Sequence, residues 1–185
     1  ASGGGSPRHL LELSHDALGV IVDGLADPLQ PVVAVALSST CLGLRTPLQA
    51  ALEVLKGRHE RAAALCRKVR TSCVGMRDAE KLDWSWKGKW KGLTADDMAT
   101  LGSLLHWTPR LEALDLGANR LGDAGMQALC EGLGRGGAPS LCELFTSNNQ
   151  FGPAGAEALA AALRGGAMPK LEILALHYNP IGNQG

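Results

Sequence analysis

The sequence predicts an α/β fold in which short strands alternate with helices in successive units of 30 residues. Leucines, asparagines and prolines recur in phase at this interval, which is the signature of an internal structural repeat. The positions that recur are Leu111, Leu141 and Leu171; Asn119, Asn149 and Asn179; and Pro109, Pro139 and Pro169. So many positions in one phase exclude coincidence, so we expect each unit to have the same local structure.

The start of each unit is predicted to be a short strand. Alternation places Leu114 and Leu116 on one face and Ala113, Asp115 and Gly117 on the other, as a half-buried strand requires. By the same spacing Leu144 and Leu174 are expected to be fully buried. The asparagine after each strand is predicted to turn its amide into the stack, where it satisfies backbone groups that a buried turn leaves unpaired.

The second half of each unit is predicted to be a helix. Leu121, Gly125, Leu129 and Leu133 recur every four residues and form an inner stripe. Paired glycines shortly before the next proline end the helix and turn the chain back. A single unit cannot bury its own leucines, so we expect its stability to depend on neighbouring units.

These features resemble a known class of repeats. The pattern L-x-x-L-x-L-x-x-N-x-L, the N-x-L-G-x-x-G step and the L-x-x-x-L helix are similar to ribonuclease-inhibitor-like leucine-rich repeats, over residues 93–185. The resemblance implies a solenoid arc with its strands on the concave side, which binds protein partners along that face. Fold in this class does not fix function.

The sequence predicts three segments. Residues 1–9 form a flexible leader, residues 10–75 a small all-α domain, and residues 76–185 the leucine-rich repeats, with a degenerate first unit and a truncated last one. The last unit stops after the point where the earlier helices begin. Because open repeat ends expose leucines to water, we expect further repeats or another subunit to cover this end.

The first two predicted helices resemble an F-box, a helical module that docks a substrate adaptor onto the linker subunit of a ubiquitin ligase. Residues 11–14, 16, 18, 21 and 25 and residues 36–41 and 44 carry the resemblance, although Ser14 stands where the family usually has proline. Leu13, Leu18 and Val33 are the candidate adaptor-docking residues. The alternative is a helical cap that covers the end of the repeat stack.

Residues 56–92 concentrate positive charge, with eleven Lys and Arg against four Asp and Glu, and contain three tryptophans interleaved with lysines, at Trp84, Trp86 and Trp90. One interpretation is a stacking surface for nucleic acid. The other is a degenerate first repeat whose tryptophans pack inward as a cap. Leu93 and Met98 align with Leu121 and Met126, and this alignment favours the repeat over a nucleic-acid partner.

The outward positions of the predicted strands are the candidate protein-binding site. Phe145 and Ile173 are apolar where the fold needs no apolar residue, which indicates a contact patch. The candidate protein-binding residues are Asp115, Glu143, Phe145, Ile173, His177 and Tyr178. The alternative is an alanine-rich face with no binding role.

Composition disfavours several other functions. Only 19% of residues are charged and the formal net charge is zero, which disfavours a strong attraction to nucleic acid or anionic membrane. Five scattered cysteines without a C-x-x-C pair predict reduced thiols in an intracellular protein, with a removed targeting segment left open. No apolar run reaches the ~18–20 residues of a membrane span. Catalytic, metal and cofactor signatures are absent from the sequence.

The sequence therefore predicts a non-catalytic protein-interaction module, a scaffold of leucine-rich repeats with an F-box-like or capping N-terminal domain. The main alternative is an F-box substrate adaptor of a ubiquitin ligase, which has the same fold but gives the first two helices a docking role. A second alternative is a structural subunit embedded in a larger multiprotein assembly.

Overall fold

The computed structural model describes residues 27–32, 35–36, 42–86 and 92–183. The chain divides into two compact units, Ala1–Glu60 and Arg61–Gly185. The predicted leader and the adaptor-docking residues Leu13, Leu18 and Val33 lie outside the described residues, as do the lysines and the tryptophan of residues 87–91. The F-box-like surface therefore stays a prediction.

Helix α1, Leu42–Lys68, contributes His59 to the described part of the first unit. His59 is half-buried, and its Nδ1 donates a hydrogen bond of 2.7 Å to the carbonyl of Pro28. Nearby, the N–H of Leu29 donates to Oδ1 of Asp27 at 2.8 Å. The ring of His59 thus gives the carbonyl of Pro28 a hydrogen-bond partner.

The second unit is built on four parallel strands of three residues each: β1 (Lys81–Asp83), β2 (Ala113–Asp115), β3 (Glu143–Phe145) and β4 (Ile173–Ala175). The strands follow one another across the sheet in chain order. Their central leucines are in register, so that Leu82, Leu114, Leu144 and Leu174 form one row. Parallel neighbours require a crossover connection, and here a helix supplies it.

Helices alternate with these strands along the chain. They are α2 (Cys73–Arg77), α3 (Ala95–Leu104), α4 (Gly122–Gly134) and α5 (Pro153–Arg164), and a short 3-10 helix, Leu105–Trp107, extends α3. Helix α3 begins with a capping box, in which Thr94 Oγ1 accepts from the N–H of Asp97 and Asp97 Oδ2 accepts from the N–H of Thr94. The carboxylate of Asp97 therefore stabilises the first turn of α3.

The core of this unit lies between the strands and the helices. Leu114, Leu144 and Leu129 have no exposed surface, so the predicted burial of Leu144 is confirmed. The expected full burial of Leu174 is wrong, because this side chain is only half-buried. The physical reason is its position on β4, which has a neighbouring strand on one side only within the described sheet.

An asparagine ladder joins the turns that follow the strands. Asn149 Nδ2 donates to the carbonyls of Leu116 at 2.8 Å and Thr146 at 3.0 Å, while its Oδ1 accepts from the N–H of Asn119 at 2.9 Å. The N–H of Asn149 donates in turn to Oδ1 of Asn179 at 2.8 Å. The predicted role of these amides is confirmed, and each links its own turn to the preceding one.

A second link connects successive helices. Oδ1 of Asp123, in the first turn of α4, accepts from the N–H groups of Gly152 at 2.7 Å and Gly155 at 2.8 Å, at the start of α5. The first N–H groups of a helix have no partner within it, and a carboxylate there also suits the helix dipole. The N–H groups of Gly152 and Gly155 are therefore capped by a side chain of the preceding repeat and not by one of their own repeat.

Among the described residues, no helix combines the length and the apolarity that a membrane crossing requires.

Candidate functional site

The carboxyl ends of the four strands meet at one edge of the sheet, and the residues that follow them line a common pocket of about 350 Å³. Four residue pairs contribute, one from each strand end. They are Ser85 and Trp86, Gly117 and Ala118, Ser147 and Asn148, and His177 and Tyr178, together with Asp115 and Phe145 from the strands themselves. We call this site the strand-end pocket.

Two aromatic residues make the strand-end pocket unlike an ordinary solvated loop surface. The side chain of Tyr178 is 83% exposed and that of Trp86 is 44% exposed. The ring of His177 meets the ring of Tyr178 edge to face, with centroids 5.1 Å apart, and its Nδ1 lies 2.9 Å from Oγ of Ser147. His177 thus packs against the tyrosine ring. The rings of Trp86 and Tyr178 leave apolar surface of the pocket exposed to water.

The backbone holds Tyr178 in the left-handed region, with φ of 59°. Its repeat equivalents Ala118 and Asn148 share this conformation, with φ of 59° and 55°. Asparagine tolerates this region well, whereas a bulky residue there is uncommon and strained. The fold therefore does not explain a tyrosine at this position.

The carboxylates at the strand ends have a fixed geometry. Asp115 Oδ1 accepts from the N–H of Gly117 at 2.8 Å, and Asp83 Oδ1 accepts from the N–H and Oγ of Ser85 at 3.2 and 2.6 Å. The two aspartates are directly paired across β1 and β2. A Cβ atom on Gly117 would lie 3.1 Å from Asp115 Oδ1, so glycine leaves room for this arrangement.

The structure brings four of the six candidate protein-binding residues together. Asp115, Phe145, His177 and Tyr178 all line the strand-end pocket. The remaining two stand at the other end of the strands, where Ile173 is 46% exposed and Glu143 is half-buried, paired in register across β3 and β4. The candidate residues thus lie in two rows across one face of the sheet, one row at each end of the strands. The strand-end pocket includes one of these rows.

Trp86 is the pocket residue that the sequence interpretation placed wrongly. The expectation that it packs inward is wrong, whereas Trp84 does pack inward and is 3% exposed. The register pairs Leu82 with Leu114, which aligns Trp84 with Leu116 and Trp86 with Ala118. The sequence alignment, which matches Leu93 with Leu121 at an offset of 28 residues, would instead have matched Trp86 with Leu114, because the strands pair at an offset of 32 residues. The repeat alignment therefore could not reveal the exposed position of Trp86.

Metal ligation finds no support in the described ranges, where no three His, Cys, Asp or Glu side chains are grouped closely enough to hold an ion. The four cysteines seen there, Cys66, Cys73, Cys130 and Cys142, are free thiols.

Comparison with known proteins identifies the repeat. A family model described as "Leucine Rich repeat" matches residues 110–130, which include β2 and the beginning of α4. The NACHT, LRR and PYD domains-containing protein 5 of Bos taurus is 54% identical over 41 residues, which are 22% of this chain and 4% of that protein. The chain thus matches a small part of that much longer relative. Residues 110–130 thus contain a leucine-rich repeat, in agreement with the strand β2, the turn at Asn119 and the helix α4 found there.

Proposed function

We propose that the chain is a non-catalytic protein-interaction module and that its docking site is the strand-end pocket with the adjacent sheet face. The observation that carries this proposal is the exposure of Trp86 and Tyr178, which come from the first and last strand ends and line one pocket. Tryptophan and tyrosine are enriched among the residues that dominate binding energy at protein interfaces. The similarity to leucine-rich repeats supports the same function.

The conformation of Tyr178 supports the proposal independently. A tyrosine in the left-handed region costs conformational energy. Because Tyr178 is 83% exposed, its side chain contributes little to the stability of the fold. Asn148 shows that the same backbone position accepts a residue better suited to it. A side chain that is costly for the fold and exposed to solvent is better explained by a role in binding.

The proposal also includes the class to which the repeats belong. We assign the repeats to the ribonuclease-inhibitor-like class, and the support is the helix between successive strands and the 30-residue offset of the asparagine ladder. In that class the strand face is concave. The strand-end pocket would then lie along the rim of that concave face.

The test is selection of binding peptides from a random library displayed on phage, against the full chain. We expect enriched peptides whose affinity falls about tenfold or more in Trp86→Ala and in Tyr178→Asn, as loss of an interface anchor implies. The matched control is Val74→Ser, because Val74 is 51% exposed and does not line the pocket. Tyr178→Asn should keep or slightly raise the thermal midpoint of the wild type, since asparagine suits the left-handed backbone better. Peptides that bind both pocket variants as well as the wild type would overturn the proposal.

The F-box adaptor and the structural subunit stay predictions. For the adaptor, the test is binding of the purified linker subunit of a ubiquitin ligase to the full chain, compared with Leu13→Asp and Leu18→Asp. Loss of that binding in both variants, with Tyr178→Asn unaffected, would assign a separate docking role to the first two predicted helices.

A further inference from the structure

We propose that the strand-end pocket receives a basic side chain, arginine or lysine, from the protein partner. This inference rests on the proposed function and specifies the chemistry of the partner. The pocket volume of about 350 Å³ is at the small end of the range for ligand clefts. It therefore suits one inserted side chain on a flexible segment and not a folded element.

Charge is the first argument for a basic side chain. Among the described residues that line the strand-end pocket, Asp115 alone carries a formal charge at neutral pH. On the outward positions of the paired strands, three carboxylates (Asp83, Asp115 and Glu143) stand with one ammonium group, that of Lys81. The outward positions of the described strands therefore carry a net negative formal charge, which is complementary to a cation.

The position of the two aspartates strengthens this argument. Asp83 and Asp115 are directly opposite on neighbouring strands, whose spacing is about 4.8 Å. Like charges in this arrangement destabilise a sheet. Both carboxylates are also fixed by hydrogen bonds from residues two positions further on, and that of Asp115 lines the pocket. A cation bound in the pocket would lie next to the Asp115 carboxylate and be attracted to it.

The aromatic residues are the second argument. A guanidinium or ammonium group is attracted to the face of an aromatic ring, and the attraction is largest for tryptophan. Trp86 and Tyr178 line the same pocket as Asp115. A basic side chain could then place its charge next to a carboxylate while its methylene groups or its planar head contact the rings.

Lys87, Lys89 and Lys91 follow Trp86 in the sequence and lie outside the described residues. If these lysines dominated binding, the partner would be acidic instead. The experiment therefore compares removal of the carboxylate with removal of the lysines. Asp115→Asn is the central variant, because an asparagine Oδ1 still accepts from the N–H of Gly117 and only the charge is lost.

The probes are the peptides enriched by phage selection on the full chain, synthesised and titrated by isothermal calorimetry. We expect each to carry an arginine or lysine whose replacement by citrulline or norleucine weakens binding about tenfold, as loss of a charge-assisted contact implies. Asp115→Asn should cause a similar loss that diminishes at high salt. Asp96→Asn is the matched control, because Asp96 is exposed on α3 and does not line the strand-end pocket.

Two outcomes would overturn the inference and leave the proposed function intact. The first is a set of peptides that depend on Trp86 but bind Asp115→Asn as tightly as the wild type. The second is acidic peptides whose binding is lost when Lys87, Lys89 and Lys91 are all replaced by glutamine. A selection that yields no peptide dependent on Trp86 or Tyr178 would overturn the proposed function together with this inference.

Discussion

Gly132 of α4 lies against Gly102 of α3 with no side chain between the two helices. A Cβ atom on Gly132 would be 2.2 Å from the Cα of Gly102, and one on Gly102 would be 2.9 Å from the carbonyl oxygen of Ala128. Both glycines are buried. Successive helices of the repeat therefore approach to backbone contact at this point, and the neighbouring leucines pack around it.

This contact predicts that Gly132→Ala is strongly destabilising. The added methyl group must displace backbone atoms, and overpacking of this kind costs about 1–3 kcal/mol or more. Gly134→Ala is the matched control in the same helix, because no atom lies within 4 Å of its added Cβ. There we expect stabilisation of about 0.5–1 kcal/mol. Urea denaturation measures both, and equal effects in the two variants would contradict the predicted contact.

The two described tryptophans of the first repeat should differ sharply in their effect on stability. Trp84→Ala removes a side chain that is 3% exposed, and deletion of a buried large aromatic costs about 3–5 kcal/mol. Trp86→Ala removes one that is 44% exposed, and we expect a loss under about 1 kcal/mol. Thermal unfolding of both variants checks this prediction. A large loss in Trp86→Ala would show that its side chain belongs to the core.

The asparagine ladder predicts a third effect on stability. Asn149→Ala removes the acceptor of the N–H of Asn119. It also removes one of the two side-chain amides that donate to the carbonyls of Leu116 and Thr146, which keep the amides of Asn119 and Asn179. We expect a loss of about 1–3 kcal/mol, the range for a buried polar group left unpaired. Asn148→Gly is the control, because Asn148 is exposed with φ of 55°, which glycine adopts freely. Equal denaturation midpoints for Asn149→Ala and wild type would contradict the prediction.

The lowered pKa of Asp97 leads us to expect that its contribution to stability depends on pH. Burial raises the pKa of this carboxyl, but hydrogen bonds from Lys68 and Thr94 outweigh burial, so the pKa lies below its ordinary value of 3.8. A lowered pKa means that the ionised form stabilises the folded state above the unfolded pKa, and that this contribution is lost as pH falls through the folded pKa.

We therefore expect Asp97→Asn to destabilise the protein at about pH 7, by about 1 kcal/mol for loss of the cap. The difference from wild type should shrink as the pH falls below about 3.8 and through the lowered pKa of the folded state, since the wild-type carboxyl is then protonated as well. Urea midpoints at several pH values measure this change. Asp96→Asn, at the neighbouring exposed position, should run parallel to wild type. A difference for Asp97→Asn that stays constant with pH would argue against the assignment.

The cysteines should differ in reactivity. Burial raises the pKa of the Cys66 thiol to about 12, with a further contribution from Cys73, and burial raises the pKa of Cys130 to about 12. Because the thiolate is the nucleophile, iodoacetamide at about pH 8 should alkylate the half-buried Cys73 and Cys142 before Cys66 and Cys130. Mass spectrometry of peptides from folded protein, with guanidinium-unfolded protein as control, checks the order. Early modification of Cys130 would contradict its burial.

The repeat period was enough to predict the regular part of the second unit. The positions of Leu114 and Leu144, the asparagine turns and the alternation of strand and helix follow from residue types at fixed spacing. Such features depend on local geometry and on one repeated contact. They are therefore visible in the sequence before any neighbour is known.

Other features depend on which residues meet, and periodicity does not contain that information. Leu174 occupies a core position of the repeat but is half-buried, since β4 has a neighbour on one side only in the described sheet. The contact of Gly102 with Gly132 joins different positions of successive helices. The outward orientation of Trp86 depends on where β1 ends, which a degenerate repeat does not reveal.

The cap that Asp123 provides for the next helix restricts the order in which these two repeats can follow one another. The carboxylate on α4 serves the N–H groups of Gly152 and Gly155, which begin α5. At the position equivalent to Asp123, the following unit has Pro153, which has no carboxylate to offer. These two units are therefore not interchangeable, and exchanging their order would leave one helix uncapped. Recombination between repeats would preserve the leucine pattern and still produce a weaker protein, so the units must be inherited as an ordered pair.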